Sequence, residues 1–193
     1  DISIGGFAGS FSGKLLTHSK YYGNVNIQQY PNTTTSCYRF YTRCGGFIGT
    51  LWTRGGTVEC CESMCNEIVI NRPSKSQALK ASVGGFIGYQ RGDYNTCKYN
   101  RSIVESIILS NSDWQGFINV GTLIGYKYDA KTFMSETINC FAIVNRFSIS
   151  SGVMGSTDYI ANDCDIIRET YTNSDVDGLA YLRSKSFNTE TRT

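Results

Sequence analysis

Histidine is almost absent from this chain, proline is scarce and charge is thin. There is one histidine, His18, so serine–histidine chemistry or a multi-histidine metal site would have little to work with. Only two prolines, Pro31 and Pro73, interrupt 193 residues. Charged residues make up 18% of the chain, against roughly 25% in ordinary domains. The net charge of +2 comes with no run of Lys or Arg, which argues against a nucleic-acid partner. No apolar stretch approaches the ~20 residues of a membrane helix. The start, Asp1-Ile2-Ser3-Ile4, has neither the basic residues nor the apolar core of a signal peptide, and fits a processed, trimmed or fragmentary beginning.

Glycine and aromatics fill the space instead: 20 Gly, 13 Tyr and 10 Phe, a composition that suits β-structure with tight corners. The glycines are ordered. Gly5-Gly6-Phe7-Ala8-Gly9, Gly45-Gly46-Phe47-Ile48-Gly49, Gly84-Gly85-Phe86-Ile87-Gly88 and Gly121-Thr122-Leu123-Ile124-Gly125 begin 40, 39 and 37 residues apart. Such a period denotes one structural unit stacked on copies of itself.

Each motif is followed by two β-like runs, for example Thr57-Val58-Glu59-Cys60 and Glu67-Ile68-Val69-Ile70. Short β-branched or alternating runs split by Gly, Asn and Ser read as strands. The expected fold is all-β: a β-solenoid, or parallel β-helix, of about four coils with three short strands each. It would span 1–151, with 152–193 as a C-terminal cap or tail. The first glycine of each motif is expected to turn a corner with positive φ. The second, with Gly9, Gly49, Gly88 and Gly125, would keep a crowded face thin. Phe and Ile are neighbours and would face opposite ways in a regular strand; Phe7, Phe47, Phe86 and Leu123 are expected inward. The connections after the third strands vary, as insertions at one solenoid corner do.

Eight cysteines, an even count, favour an oxidising compartment. The sequons at Asn32 and Asn100 agree, each expected on an exposed loop or corner. His18, Cys60, Cys97 and Cys140 align as one ladder column, which would leave Cys60, Cys97 and Cys140 largely as buried thiols and make His18 a packed residue. Disulfides would then draw on Cys37, Cys44, Cys61 and Cys65. Cys61 and Cys65 have a permitted zinc spacing, but Cys37 and Cys44 are too far apart to match it. The acids Asp158, Asp163, Asp165, Asp175 and Asp177 lack EF-hand order. No catalytic residue, metal or cofactor is expected.

Gly84-Gly85-Phe86-Ile87-Gly88-Tyr89, Thr137-Ile138-Asn139-Cys140-Phe141 and the closing Gly178-Leu179 to Ser186-Phe187 segment resemble the GLUG repeat family. The resemblance implies a secreted or surface-displayed repeat region without catalytic residues. The expectation is thus an extracellular or cell-surface structural or adhesive module in a fibre, appendage or surface layer. Its partners would be copies of itself or other matrix and surface proteins, with glycans as a further partner. Two other readings are a carbohydrate-binding or carbohydrate-cleaving β-helix using Trp52, Trp114 and tyrosines, and the non-catalytic arm of a secreted peptidase.

Overall fold

A computed structural model of the chain describes residues 2–28, 40–71, 79–91, 94–110, 114–128, 136–149 and 152–154. Every element in them is a β-strand, numbered here in chain order. Four parallel sheets result. The first holds β1 (Ile2–Gly5), β5 (Phe40–Gly45), β9 (Leu79–Gly84), β13 (Trp114–Gly121) and β17 (Gly152–Met154). The second holds β2 (Ala8–Phe11), β6 (Ile48–Trp52), β10 (Ile87–Arg91) and β14 (Ile124–Tyr128). The third holds β3 (Leu15–Thr17), β7 (Thr57–Glu59), β11 (Thr96–Lys98) and β15 (Glu136–Ile138). The fourth holds β4 (Lys20–Gln28), β8 (Glu62–Asn71), β12 (Arg101–Ser110) and β16 (Phe141–Ile149). Each strand leads to the next sheet and every fourth strand returns to the first, as in a β-helix.

A turn of chain therefore contains four strands, not the expected three. The glycine motif does not lie inside one strand: β5 ends on Gly45, residues 46 and 47 bend, and β6 starts at Ile48. The segment before each motif, read from sequence as a variable connection whose first copy alternates enough over 37–42 to be an extra strand, supplies the fourth strand of every turn. At the other end, β17 pairs with β13 and carries strand pairing past the expected boundary at 151. Residues 155–193, most of the expected tail, lie outside the described residues.

The corner explains the glycines sterically. A Cβ on Gly45 would sit 2.0 Å from Ile48 O, and the same clash recurs at Gly84 and Gly121. Positive φ is not the reason, because Gly55 is the only glycine with it among the described residues. A Cβ on Gly46 would lie 2.1 Å from Gly85 O, and one on Gly85 would lie 2.2 Å from Thr122 O. The second glycine thus gives way to the carbonyl of the following motif. Thr122 has no following motif among the described residues. Gly49 and Gly88 press the second sheet onto the first, since a Cβ there would come within 2.4 Å of Ile4 N and 2.5 Å of Cys44 N.

Because Phe47 lies in the bend rather than in a strand, it and Ile48 are both buried in one core. That core, with Leu51, Val58, Cys97 and Cys140, lies between the second and third sheets. A second core packs Cys44, Ala81, Val83 and Val120 of the first sheet against Ile68, Ile70, Ile107 and Leu109 of the fourth. The expected inward set holds for Phe47, Phe86 and Leu123, whereas Phe7 is half exposed.

Between the third and fourth sheets the chain turns on one left-handed residue, His18, Cys60, Tyr99 or Asn139, with φ of 52°, 52°, 56° and 47°. The ladder column expected to join His18, Cys60, Cys97 and Cys140 therefore divides. Cys60 shares the left-handed position with His18. Cys97 pairs in register with Val58 and Thr137. Cys140 follows Asn139 and occupies the place held by Ser19, Cys61 and Asn100.

Candidate functional site

The side chains that repeat from coil to coil interact along the stacking axis. Phe47 stacks on Phe7 on one side and Phe86 on the other, at 4.8 Å between centroids in both pairs. The backbone repeats the relation: Phe47 O accepts from Phe7 N and Ala8 N, Phe86 O from Phe47 N and Ile48 N, and Leu123 O from Phe86 N and Ile87 N. Stacked rings and shared carbonyls fix one register, and a slip would break both at every level.

The second sheet carries another ladder, Ser10, Thr50, Tyr89 and Tyr126 in register. Tyr89 and Tyr126 stack at 5.5 Å. The Arg43 guanidinium, from the first sheet, lies 4.4 Å from the Tyr89 centroid and 4.9 Å from that of Tyr41. Ser3 Oγ and Thr50 Oγ1 are 2.7 Å apart, as are Tyr41 Oη and Ser82 Oγ. Burial raises the Tyr89 phenol above its ordinary value, opposed by the nearby Arg43 and Arg91 charges. Two residues further along the strands, Trp52, Arg91 and Tyr128 share a rung, with the Arg91 guanidinium 4.6 Å and 5.7 Å from the two ring centroids.

The fourth sheet pairs polar groups in the same axial sense. Tyr22 Oη donates to Glu62 Oε1 at 2.5 Å, and Glu62 faces Arg101 at 3.7 Å. That hydrogen bond, assisted by burial, pushes the Tyr22 phenol up to about 12. Lys98 pairs with Glu59 at 3.0 Å between the third-sheet strands.

Asn100 is fully buried, contrary to the exposed corner expected for a sequon. Its Oδ1 accepts from Cys61 N at 3.0 Å, and its Nδ2, the atom a glycan would occupy, donates to Val58 O at 2.9 Å. Asn32 and Cys37 lie outside the described residues. Cys44, Cys61 and Cys65 are buried, and no disulfide joins any two of the six described cysteines. Burial raises the Cys44 and Cys65 thiols and pushes those of Cys61 and Cys140 up to about 11. His18, expected to be packed, is exposed on its corner, with Nδ1 2.8 Å from Thr17 Oγ1. Among the described residues no group of three or more His, Cys, Asp or Glu is placed to hold a metal ion.

Sequence reasoning missed the arginine–aromatic contacts and the internal asparagines. Asn95 parallels Asn100 at the preceding corner, where its Oδ1 is bonded by Thr53 Oγ1 and Gly56 N. Asparagine just before a strand of each of these two sheets was the available signal. The chain matches no protein-family model, no curated protein and no solved structure.

Proposed function

We propose that this chain is a structural or adhesive repeat module, a β-solenoid of about four coils that stacks or docks in a larger fibre, appendage or surface layer at the cell exterior. The observation that carries it is the ring column Phe7–Phe47–Phe86 with its shared carbonyls. The repeated side chains serve axial continuity rather than converging on one pocket, which is how a spacer or assembly unit is built. Its partners in this reading are copies of itself or other surface proteins.

The test is made on native cells with an antibody to the chain, combining an impermeant surface label, size fractionation and immunogold imaging. The reading expects labelled material of high mass, with elongated particles containing many copies. A compact cytosolic monomer would overturn it.

A further inference from the structure

We infer that the corner between the second and third sheets carries a binding ridge for an acidic polysaccharide, centred on Trp52, Arg91 and Tyr128. The three residues stand on adjacent parallel strands in one register. Trp52 is 51% and Tyr128 48% exposed, and Arg91 is exposed as well. These are large aromatic surfaces to leave in water, and they lie together rather than scattered.

The arginine decides the chemistry of the partner. Its guanidinium is held over both rings, 4.6 Å from the Trp52 centroid and 5.7 Å from that of Tyr128. Stacking restricts the side chain, while its planar N–H edge remains suited to a carboxylate in a paired, fork-like contact. The strand β2 ends at Phe11, which pairs with Leu51, so no β2 residue shares the Trp52 rung. That leaves an indole surface beside the guanidinium for the C–H face of a sugar ring.

Charge complementarity supports an anion. The strands β2, β6, β10 and β14 contain no Asp or Glu, and the one charge on the Trp52–Arg91–Tyr128 rung is the Arg91 guanidinium. A nucleic acid would satisfy an aromatic–arginine pair too, but usually calls for a basic groove that tracks the backbone. With a net charge of +2 and no Lys or Arg run, the chain offers no such groove in its sequence. A sugar chain bearing spaced carboxylates needs only one fork and one stacking face. This inference stands apart from the stacking role, since its residues lie on a lateral corner.

The full-length chain is titrated with polygalacturonate, followed by indole fluorescence and by calorimetry, with dextran and single-stranded oligo(dT) as comparison ligands. Polygalacturonate should bind and perturb the fluorescence, binding should weaken as salt rises, and dextran should not bind. Trp52→Ala and Arg91→Gln should each weaken binding ten-fold or more, and Arg91→Lys should restore only part of it. Tyr99→Ala, at the corner between the third and fourth sheets, should leave binding unchanged, and far-ultraviolet circular dichroism should confirm that each variant is folded. No binding, equal binding by folded Trp52→Ala and Arg91→Gln, equal affinity for dextran, or tighter binding of oligo(dT) would each overturn the inference. None of these outcomes bears on whether the chain assembles by stacking.

Discussion

Phe47 lies parallel to Phe86, 4.8 Å away and within 8°, while the carbonyl of Phe86 accepts from Phe47 N at 3.0 Å. Ring and backbone thus report the same register, although the two residues are 39 positions apart in sequence. The pair ties a side-chain contact to a main-chain one, so a change at either should be felt at both.

Phe47→Ala should therefore cost about 3–5 kcal/mol, the range for a buried aromatic truncated without collapse. Phe7→Ala, at a half-exposed ring, should cost about 1 kcal/mol. Urea unfolding of both variants measures the difference. Equal costs would mean that the column does not organise the core.

The second glycine of the motif offers a sharper contrast. Gly46→Ala places a methyl 2.1 Å from Gly85 O, a backbone atom that cannot swing away. A loss of about 3 kcal/mol or outright failure to fold is expected. Thr122→Ala should be tolerated within about 1 kcal/mol, because the buried Thr122 Oγ1 has no hydrogen-bond partner to lose. Thermal unfolding of the two variants in parallel decides it, and a harmless Gly46→Ala would refute the steric reading.

The left-handed corner predicts the opposite sign. Tyr99 holds φ at 56° and is partly exposed, so Tyr99→Gly should be neutral or stabilising by up to about 1 kcal/mol. Cys97→Gly, two residues earlier in β11 and buried, should destabilise clearly. If Tyr99→Gly lost as much stability as Cys97→Gly, backbone strain at this corner would not be the governing feature.

These contrasts show what the sequence could and could not disclose. Glycine spacing announces stacked coils because the same steric need recurs at Gly45, Gly84 and Gly121, and steric need selects residue type directly. The extra strand was legible only in the first connection, where 37–42 alternates; its recurrence at Leu79–Gly84 and Trp114–Gly121 was hidden because insertions before the motif blur the period. The cysteine alignment failed for a different reason. Thr57 and Thr96 both stand twelve residues after the first glycine of their motifs, which puts Cys97 beside Val58, and matching cysteine with cysteine overrode that spacing. Asn100 was misjudged because a sequon says nothing of burial, and an asparagine that caps an inner corner looks the same as one on a loop. Arg43 and Tyr89 come from different sheets and different coils, a meeting that only the register reveals.

The buried thiols carry the last prediction, which concerns pH. Burial pushes Cys61 and Cys140 up to about 11 from an ordinary value of 9.0. Below pH 9 both folded and unfolded chains keep these protons, and the stabilising difference is fully present. As pH rises past 9 the unfolded chain releases protons that the folded chain retains, so unfolding becomes easier with each step. The decline should level off once pH passes about 11, where the folded thiols titrate as well. Urea midpoints measured from pH 7.5 to 10.5 should fall over this window, and the fall should be shallower in a Cys61→Ala, Cys140→Ala double variant. Iodoacetamide at pH 8 should leave Cys44, Cys61, Cys65 and Cys140 unmodified in the folded chain and label them in urea. Rapid labelling of these four without denaturant, or identical pH dependence in the double variant, would show that the thiols are not held in the core as the structure places them.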